Sequence, residues 1–225
     1  QETENDRSYY DFADLVAKSL GWFVLAFTYR GCGSSEGEFS LQGWLDDTIN
    51  AAMELNKNPQ VNSVWLAGFG TGGALAITAA SLCAEVSGVA AISAPSDFHD
   101  WVKDPDQLLK YSRSVGAISA PDFPQNKESW VAEIDLVRPV DAAGEIPQKP
   151  LLVVHGASDQ VVPSFDARVI ADAHGNADLR IIDGGTHRLR FDPRASAIII
   201  GWLDRTHRLQ AKEVPSSQSY TTEGK

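Results

Sequence analysis

Short apolar runs and stretches of helically spaced apolar residues alternate along most of this chain. The runs are rich in apolar residues throughout, which is typical of strands buried on both faces. They predict strands at 22–28, 63–67, 88–93, 151–154 and 178–182. Helical spacing predicts helices at 8–20, 41–56, 72–84, 165–173 and 195–205. Strands that alternate with helices predict an α/β fold whose mostly parallel sheet is covered by helices on both faces.

The turn after the second predicted strand has the spacing of a nucleophile elbow. In the pattern G-x-S-x-G, the central Ser stands at the tip of a sharp turn between a strand and a helix. Here the outer glycines are Gly68 and Gly72, and Gly70 takes the central position. Glycine has no side chain that can attack a substrate. The turn therefore predicts either a degenerate catalytic site or a tight turn whose strain glycine relieves.

Composition and charge limit the classes of function that this chain can have. The chain has 225 residues, of which 43% are hydrophobic and 22% charged, which predicts one globular domain over 1–212 and a flexible tail at 213–225. Its net charge of -11 disfavours nucleic-acid partners. No apolar run approaches the roughly 20 residues that cross a bilayer. With only two cysteines, we expect a cytoplasmic protein without a disulfide framework.

Two further loops carry candidate chemistry, and each follows a predicted strand. Asp159 follows the strand at 151–154, and His187 follows the strand at 178–182. The order elbow, acid, histidine is that of the α/β-hydrolase triad. The loops at 154–163 and 185–187 and the glycine-rich turn at 29–37 also match that family's pattern. The chain resembles the serine esterases and acyl hydrolases of the α/β-hydrolase fold superfamily, with Gly70 in place of the nucleophile.

The resemblance implies a role for each loop. Asp159 would orient the histidine, His187 would be the general base, and the backbone N–H of Thr71 would bind the oxyanion. The insert at 95–149 would be a lid, whose aromatic residues either line a pocket for a partly apolar small molecule or pack onto the body. The resemblance also implies N-terminal strands with a His-Gly oxyanion turn; these are not found in the given sequence, and we expect them either before Gln1 or not at all.

Three functions are compatible with glycine at the nucleophile position. The first is an impaired or non-covalent hydrolase, in which the Asp-His pair activates water or a substrate directly. The second is a catalytically inactive binding or scaffold protein of the same fold. The third is an active serine esterase that carries an engineered Ser-to-Gly change at Gly70. The oligomeric state is not predicted by the sequence.

The sequence offers no strong substitute for the missing nucleophile. Thr71 is adjacent, but only the central side chain of an elbow points into the site. Cys32 and Ser34 lie in the glycine-rich turn, where small residues commonly fill a loop. Cys32 is the more reactive type if His187 lies close enough to favour its thiolate.

No cofactor is predicted. The residues His155, Asp159 and His187 lack a compact metal-ligand motif, and His155 is expected to form a structural hydrogen bond at the end of its strand. The glycines of the elbow do not have the G-x-G-x-x-G spacing of a dinucleotide loop.

Overall fold

Four parallel strands form the sheet of this protein. The computed structural model describes residues 4–213, with side chains described for 9–210. The strands are β1 (Val64–Phe69), β2 (Val86–Ile92), β3 (Leu151–Gly156) and β4 (Asp178–Ile182). They lie in the order β1-β2-β3-β4. Ile92 pairs with Val154, and His155 pairs with Ile181, so the carboxyl ends of β2, β3 and β4 meet at one edge.

Helices cover both faces of the sheet, as the sequence predicts. Their bounds are α1 (Glu4–Leu20), α2 (Leu41–Asn56), α3 (Thr71–Leu82), α4 (His99–Val102), α5 (Pro105–Ser114), α6 (Lys127–Asp135), α7 (Pro139–Glu145), α8 (Ser164–His174) and α9 (Pro193–Glu213). Alternate residues of β2 and β3 face opposite layers. Val89 and Val153 pack with α3, α7 and α8, whereas Ala90 and Val154 pack with α1 and α9.

One predicted strand is wrong. Residues 22–28 do not form a strand. A strand requires a neighbour that accepts and donates its backbone hydrogen bonds, and no described strand pairs with this segment. Several of its apolar side chains, Phe23, Val24, Leu25 and Phe27, are consequently exposed. The remaining predicted strands and helices correspond to observed ones, with bounds shifted by up to eight residues at the helix ends.

The predicted insert at 95–149 contains the helices α4, α5, α6 and α7. Its apolar side chains pack onto α2 and α3, and Phe98, Ile118 and Trp130 are buried there. Among the described residues, packing onto the body is therefore their observed role. Tyr111 remains exposed.

Hydrogen bonds between Arg30 and Asp47 hold the glycine-rich turn at 29–37 against α2. The Asp47 carboxylate accepts hydrogen bonds from the Arg30 backbone N–H at 3.0 Å and from its Nη2 at 2.6 Å. Trp44 Nε1 donates to the Arg30 carbonyl at 3.0 Å. The guanidinium lies directly over Gly43, where a Cβ would come within 2.7 Å of Arg30 Cδ. Glycine at this helical position thus allows the ion pair to form.

We expect Asp47→Asn to lower the free energy of unfolding by about 1–2 kcal/mol at neutral pH, because the charge-assisted pair with Arg30 is lost. The loss is no larger because Arg30 is partly exposed and solvent weakens the pair. Burial opposes ionisation of Asp47, but the hydrogen bonds from Arg30 outweigh it and hold the pKa of Asp47 below its ordinary value. The stabilisation is therefore present above about pH 4 and is lost as the pH falls through the lowered pKa.

Urea unfolding at neutral and acidic pH measures this difference. The neighbouring Asp46→Asn is the matched control, because Asp46 is exposed and, among the described residues, its side chain accepts a hydrogen bond only from Gln42. An Asp47→Asn chain as stable as the Asp46→Asn chain at neutral pH would show that the pair contributes nothing.

Within residues 4–213, none of the helices combines the length and apolar character required to span a bilayer. Most of the predicted tail, 214–225, lies outside the described residues, and Glu213 is the last residue of α9.

Candidate active site

The elbow between β1 and α3 has the backbone geometry of a strained catalytic turn. Gly70 has φ 56° and ψ -125°, a left-handed conformation that side-chain-bearing residues rarely adopt. Its N–H donates to the Ile92 carbonyl at 2.8 Å. Its carbonyl accepts from Gly73 N at 3.0 Å, which starts the helix. A Cβ on Gly68 would lie 2.1 Å from the Gly72 carbonyl oxygen, so the turn closes only because position 68 is glycine.

Asp159 lies in the loop that follows β3, and its carboxylate is held on both oxygens. Oδ1 accepts from the backbone N–H groups of Val161 and Val162, each at 2.9 Å. Oδ2 lies 2.9 Å from His187 Nδ1. The Asp159 side chain is fully buried. Because a carboxylate only accepts hydrogen bonds, the proton of this bond is on His187 Nδ1, which leaves Nε2 free to accept one.

A close contact between two glycines holds the histidine loop against the end of β3. A Cβ on Gly156 would lie 2.3 Å from the Gly185 carbonyl oxygen. That carbonyl accepts from Ser158 N at 2.8 Å. The His187 side chain remains 24% exposed, so a small molecule can reach it from solvent.

The three predicted positions converge. A Cβ built on Gly70 would lie 3.5 Å from His187 Nε2 and 3.7 Å from Cε1, which is ordinary contact, and no other atom of the described residues, its chain neighbours apart, would lie within 4 Å. Thr71 is the first residue of α3, so its N–H has no acceptor within the helix and is available to an oxyanion. The arrangement places a carboxylate-oriented imidazole beside the point from which a nucleophile side chain would project.

His155 is a further residue of the site, and the sequence predicts only its structural role. It is fully buried at the end of β3, and its Nε2 donates to the Val162 carbonyl at 3.0 Å. The same nitrogen lies 3.3 Å from Asp159 Oδ2. His155 therefore touches the oxygen that binds His187. The spacing of four residues between His155 and Asp159 is the only sequence signal that points to this contact.

Two buried polar atoms, one on Ser93 and one on His155, lie at the carboxyl ends of the neighbouring strands β2 and β3. Ser93 follows β2 with φ 51°, and its N–H donates to the Val154 carbonyl at 2.8 Å. Ser93 Oγ and His155 Nδ1 are both buried, and neither has a hydrogen-bond partner among the described residues. Buried polar atoms without partners are rare in folded proteins.

The other candidate nucleophiles have different surroundings. Cys32 Sγ lies 3.7 Å from the Ala117 carbonyl oxygen in the insert, and Ser34 is exposed in its turn. Tyr29 lies close to the elbow, since a Cβ on Gly72 would be 3.8 Å from its hydroxyl. Burial raises the pKa of Tyr29 to about 12, so this hydroxyl stays protonated at neutral pH.

Metal binding has no candidate cluster in the described part of the chain, where no group of three or more His, Cys, Asp or Glu side chains could hold an ion.

Comparison with known proteins assigns the family. The model of the alpha/beta hydrolase family matches residues 5–198. The chain belongs to the alpha/beta hydrolase family. It is 27% identical over 173 residues to the YfhR protein of Escherichia coli O157:H7 and 26% identical over 186 residues to the mitochondrial palmitoyl-protein thioesterase ABHD10 of Homo sapiens. These matches cover 76% and 77% of this chain but 55% and 60% of the relatives, so the chain spans little more than half their length.

Solved structures of alpha/beta hydrolases share the fold. Est1E of Butyrivibrio proteoclasticus bound to ferulic acid matches with a TM-score of 0.64 and 19% identity, over 94% of this chain and 85% of that one. The Pyrococcus furiosus esterase Pf2001 matches with a TM-score of 0.65 and 22% identity, over 89% of this chain and 74% of that one. At these identities the likeness concerns the fold and not the substrate.

Proposed function

We propose that this alpha/beta hydrolase cleaves ester or thioester bonds without a covalent intermediate, using His187 as a general base on water. The proposal rests on one observation: a Cβ on Gly70 would lie 3.5 Å from His187 Nε2, while Asp159 binds the opposite ring nitrogen. The base is thus oriented toward the position where the family's nucleophile projects, and glycine leaves that position open to a small molecule.

The chemistry needs few groups. Water bound near Gly70 gives a proton to His187 Nε2 as its oxygen attacks the acyl carbonyl. The Thr71 N–H donates to the developing oxyanion. When the bond to the leaving group breaks, His187 returns the proton to that group. A positioned general base contributes roughly 10²–10⁴-fold to such a step, so we expect slow but measurable turnover.

The substrate is expected to be a partly apolar small molecule or acyl group. Among the matched proteins, ABHD10 is a palmitoyl-protein thioesterase and Est1E binds ferulic acid. The palmitoyl group and ferulic acid both have substantial apolar surface. Trp101 and Phe123 of the insert are partly exposed, so their aromatic side chains offer apolar surface to such a group. A cytoplasmic location is part of this proposal.

Turnover of a short-chain nitrophenyl ester tests the proposal. The chain as given should release nitrophenol above the buffer rate, and His187→Ala should abolish the excess. His99→Ala is the matched control, because His99 is exposed and pairs only with Asp135 among the described residues. If the chain as given and the His187→Ala variant release nitrophenol equally, the non-covalent mechanism is wrong, and a binding or scaffold role takes its place.

We expect His155 to position Asp159 for this activity. In a chain that carries Gly70→Ser, the added change His155→Leu should lower kcat about tenfold, because Asp159 Oδ2 loses the polar Nε2 atom that lies 3.3 Å from it. His155→Gln keeps an N–H near the same point and should restore most of kcat. KM should stay unchanged in both, since His155 is buried away from any substrate. Equal losses with Leu and Gln would assign His155 a packing role only.

A further inference from the structure

We propose that the Tyr29 hydroxyl donates a hydrogen bond to the oxyanion, which makes Tyr29 a further catalytic residue of this site. The inference deepens the proposed function and rests on it, because an oxyanion forms only when an acyl carbonyl is attacked beside Gly70. Sites that stabilise an oxyanion aim several donors at the developing charge. Thr71 supplies one of these donors from its backbone, and the inference concerns a second, from a side chain.

The Tyr29 hydroxyl lies beside the start of α3. A Cβ on Gly72 would be 3.8 Å from Tyr29 Oη, and within the described part of the chain nothing else outside its own helix and chain neighbours would lie within 4 Å. Because a Cβ is about 2.5 Å from its own backbone N, Oη lies within roughly 6 Å of Gly72 N. One oxygen atom can bridge that separation when it accepts from both groups. The elbow thus has the His187 base beside Gly70 and a hydroxyl beside Gly72.

The first turn of α3 leaves backbone donors next to this hydroxyl. The Gly70 carbonyl accepts from Gly73 N at 3.0 Å and from Ala74 N at 3.2 Å. The N–H groups of Thr71 and Gly72 come before these two and have no acceptor within the helix. Such N–H groups stabilise negative charge at the start of a helix. The Tyr29 O–H therefore adds to the backbone donors and does not replace them.

Aromatic packing holds the Tyr29 ring in one place. The ring stacks on Trp44, with centroids 4.8 Å apart, and meets the edge of Phe27 at 5.1 Å. Trp44 is itself held, because its Nε1 donates to the Arg30 carbonyl at 3.0 Å. A donor that is already in position stabilises developing charge without rearrangement during the reaction.

The proton of Tyr29 is available to a developing charge. Tyr29 Oη lies 3.3 Å from Thr48 Oγ1, and Oγ1 gives its single proton to the Trp44 carbonyl at 2.9 Å. Tyr29 is therefore the donor in the 3.3 Å contact, a long hydrogen bond to a neutral oxygen. A hydrogen bond to an anion is shorter and about twice as strong, so the O–H turns toward the oxyanion as charge develops.

The hydroxyl keeps its proton throughout. Burial raises the pKa of Tyr29 to about 12, so the group is a donor at neutral pH, and His187 remains the base. No bond forms to Tyr29 and none breaks.

The variant Tyr29→Phe tests this role, because it removes the hydroxyl and keeps the ring. It is made in the chain as given and in the chain that carries Gly70→Ser. In both, kcat for a short-chain nitrophenyl ester should fall roughly 10²-fold, as when another oxyanion donor is removed. KM should stay nearly constant, because the charge develops only after the ester has bound. Circular dichroism checks that each variant folds.

Thr48→Val is the matched control. It removes the other partner of the 3.3 Å contact and keeps the shape of the side chain. If Tyr29 acts on the oxyanion, Thr48→Val should keep most of kcat, since the O–H then has no competing acceptor on Thr48. Equal losses of kcat in Tyr29→Phe and Thr48→Val would mean that the contact only supports the fold, and they would overturn the inference.

Binding of benzylphosphonate, a stable tetrahedral anion, gives a second measurement that does not require turnover. Calorimetry should show that Tyr29→Phe weakens this binding roughly tenfold, because a hydrogen bond to a charged group is lost, and that Thr48→Val does not. Unchanged binding in Tyr29→Phe would contradict the inference. A chain that neither hydrolyses the ester nor binds the phosphonate has no oxyanion site, which would also overturn it.

The inference and the proposed function fail in different ways. If the chain as given is inert, while Tyr29→Phe lowers kcat in the Gly70→Ser chain, Tyr29 is the oxyanion donor and the non-covalent reaction is wrong. If the chain as given hydrolyses the ester through His187, while Tyr29→Phe behaves like Thr48→Val, only the role of Tyr29 is wrong.

Discussion

The variant Gly70→Ser is expected to raise kcat/KM for a short-chain nitrophenyl ester by roughly 10³-fold or more. In a studied protease, removing the triad Ser costs on the order of 10⁶ in turnover, so restoring it to an intact site should recover a large part of that factor. The acid and the base are in place. Asp159 binds His187 at 2.9 Å, and the added Cβ would lie 3.5 Å from Nε2.

The same variant should lower the free energy of unfolding by about 1–3 kcal/mol, since a side chain at φ 56° is strained. Gly175→Ser is the matched control, because Gly175 has φ 76° and a Cβ there meets nothing within 4 Å. The control should lose stability without any gain in turnover. Steady-state kinetics and urea unfolding measure both effects. If the Gly70→Ser chain folds but is no more active than the parent, a serine at the elbow does not act with His187.

Asp159→Asn in the chain that carries Gly70→Ser should lower kcat by about 10⁴-fold, as in another triad where an amide imposes the wrong tautomer. Oδ1 accepts from two backbone N–H groups, those of Val161 and Val162. The amide oxygen of Asn must take that position, so its NH₂ faces His187 Nδ1. Nδ1 then becomes the acceptor, and the proton moves to Nε2, where the base is needed.

Asp166→Asn controls for the loss of a partly buried carboxylate near the same strand end. Asp166 accepts from Ser96 N at 3.1 Å, and it makes no described contact with His187. We expect its variant to keep most of kcat. A loss of less than tenfold in Asp159→Asn, with the control unchanged, would mean that the carboxylate does not set the His187 tautomer.

The sequence predicts those parts of the fold whose pattern is local. The helix at 41–56 and the strand at 178–182 have the predicted bounds, because each combines a clear periodicity with breakers at both ends. The elbow, Asp159 and His187 are also found where the loop order predicts them. They meet because the carboxyl ends of parallel strands share one edge of the sheet.

The parts that the sequence does not predict depend on distant neighbours. Residues 22–28 have the composition of a strand, but composition does not supply the strand that must pair with them. Gly156, the last residue of β3, contacts Gly185 in the loop that follows β4. In the sequence, each glycine alone is typical of an ordinary turn. The approach of His155 to Asp159 depends on a turn that brings Val162 back over the strand end.

Labelling with a fluorophosphonate decides whether the elbow still faces the Asp159–His187 pair, because the probe modifies hydroxyls that a nearby base activates. The Gly70→Ser chain is treated with the probe, and the adduct is located by mass spectrometry. We expect one adduct per chain, at position 70. The adduct should be absent from the chain as given, and it should be lost when His187→Ala is added. A folded Gly70→Ser chain without an adduct at position 70, or with one that persists after His187→Ala, would contradict this expectation.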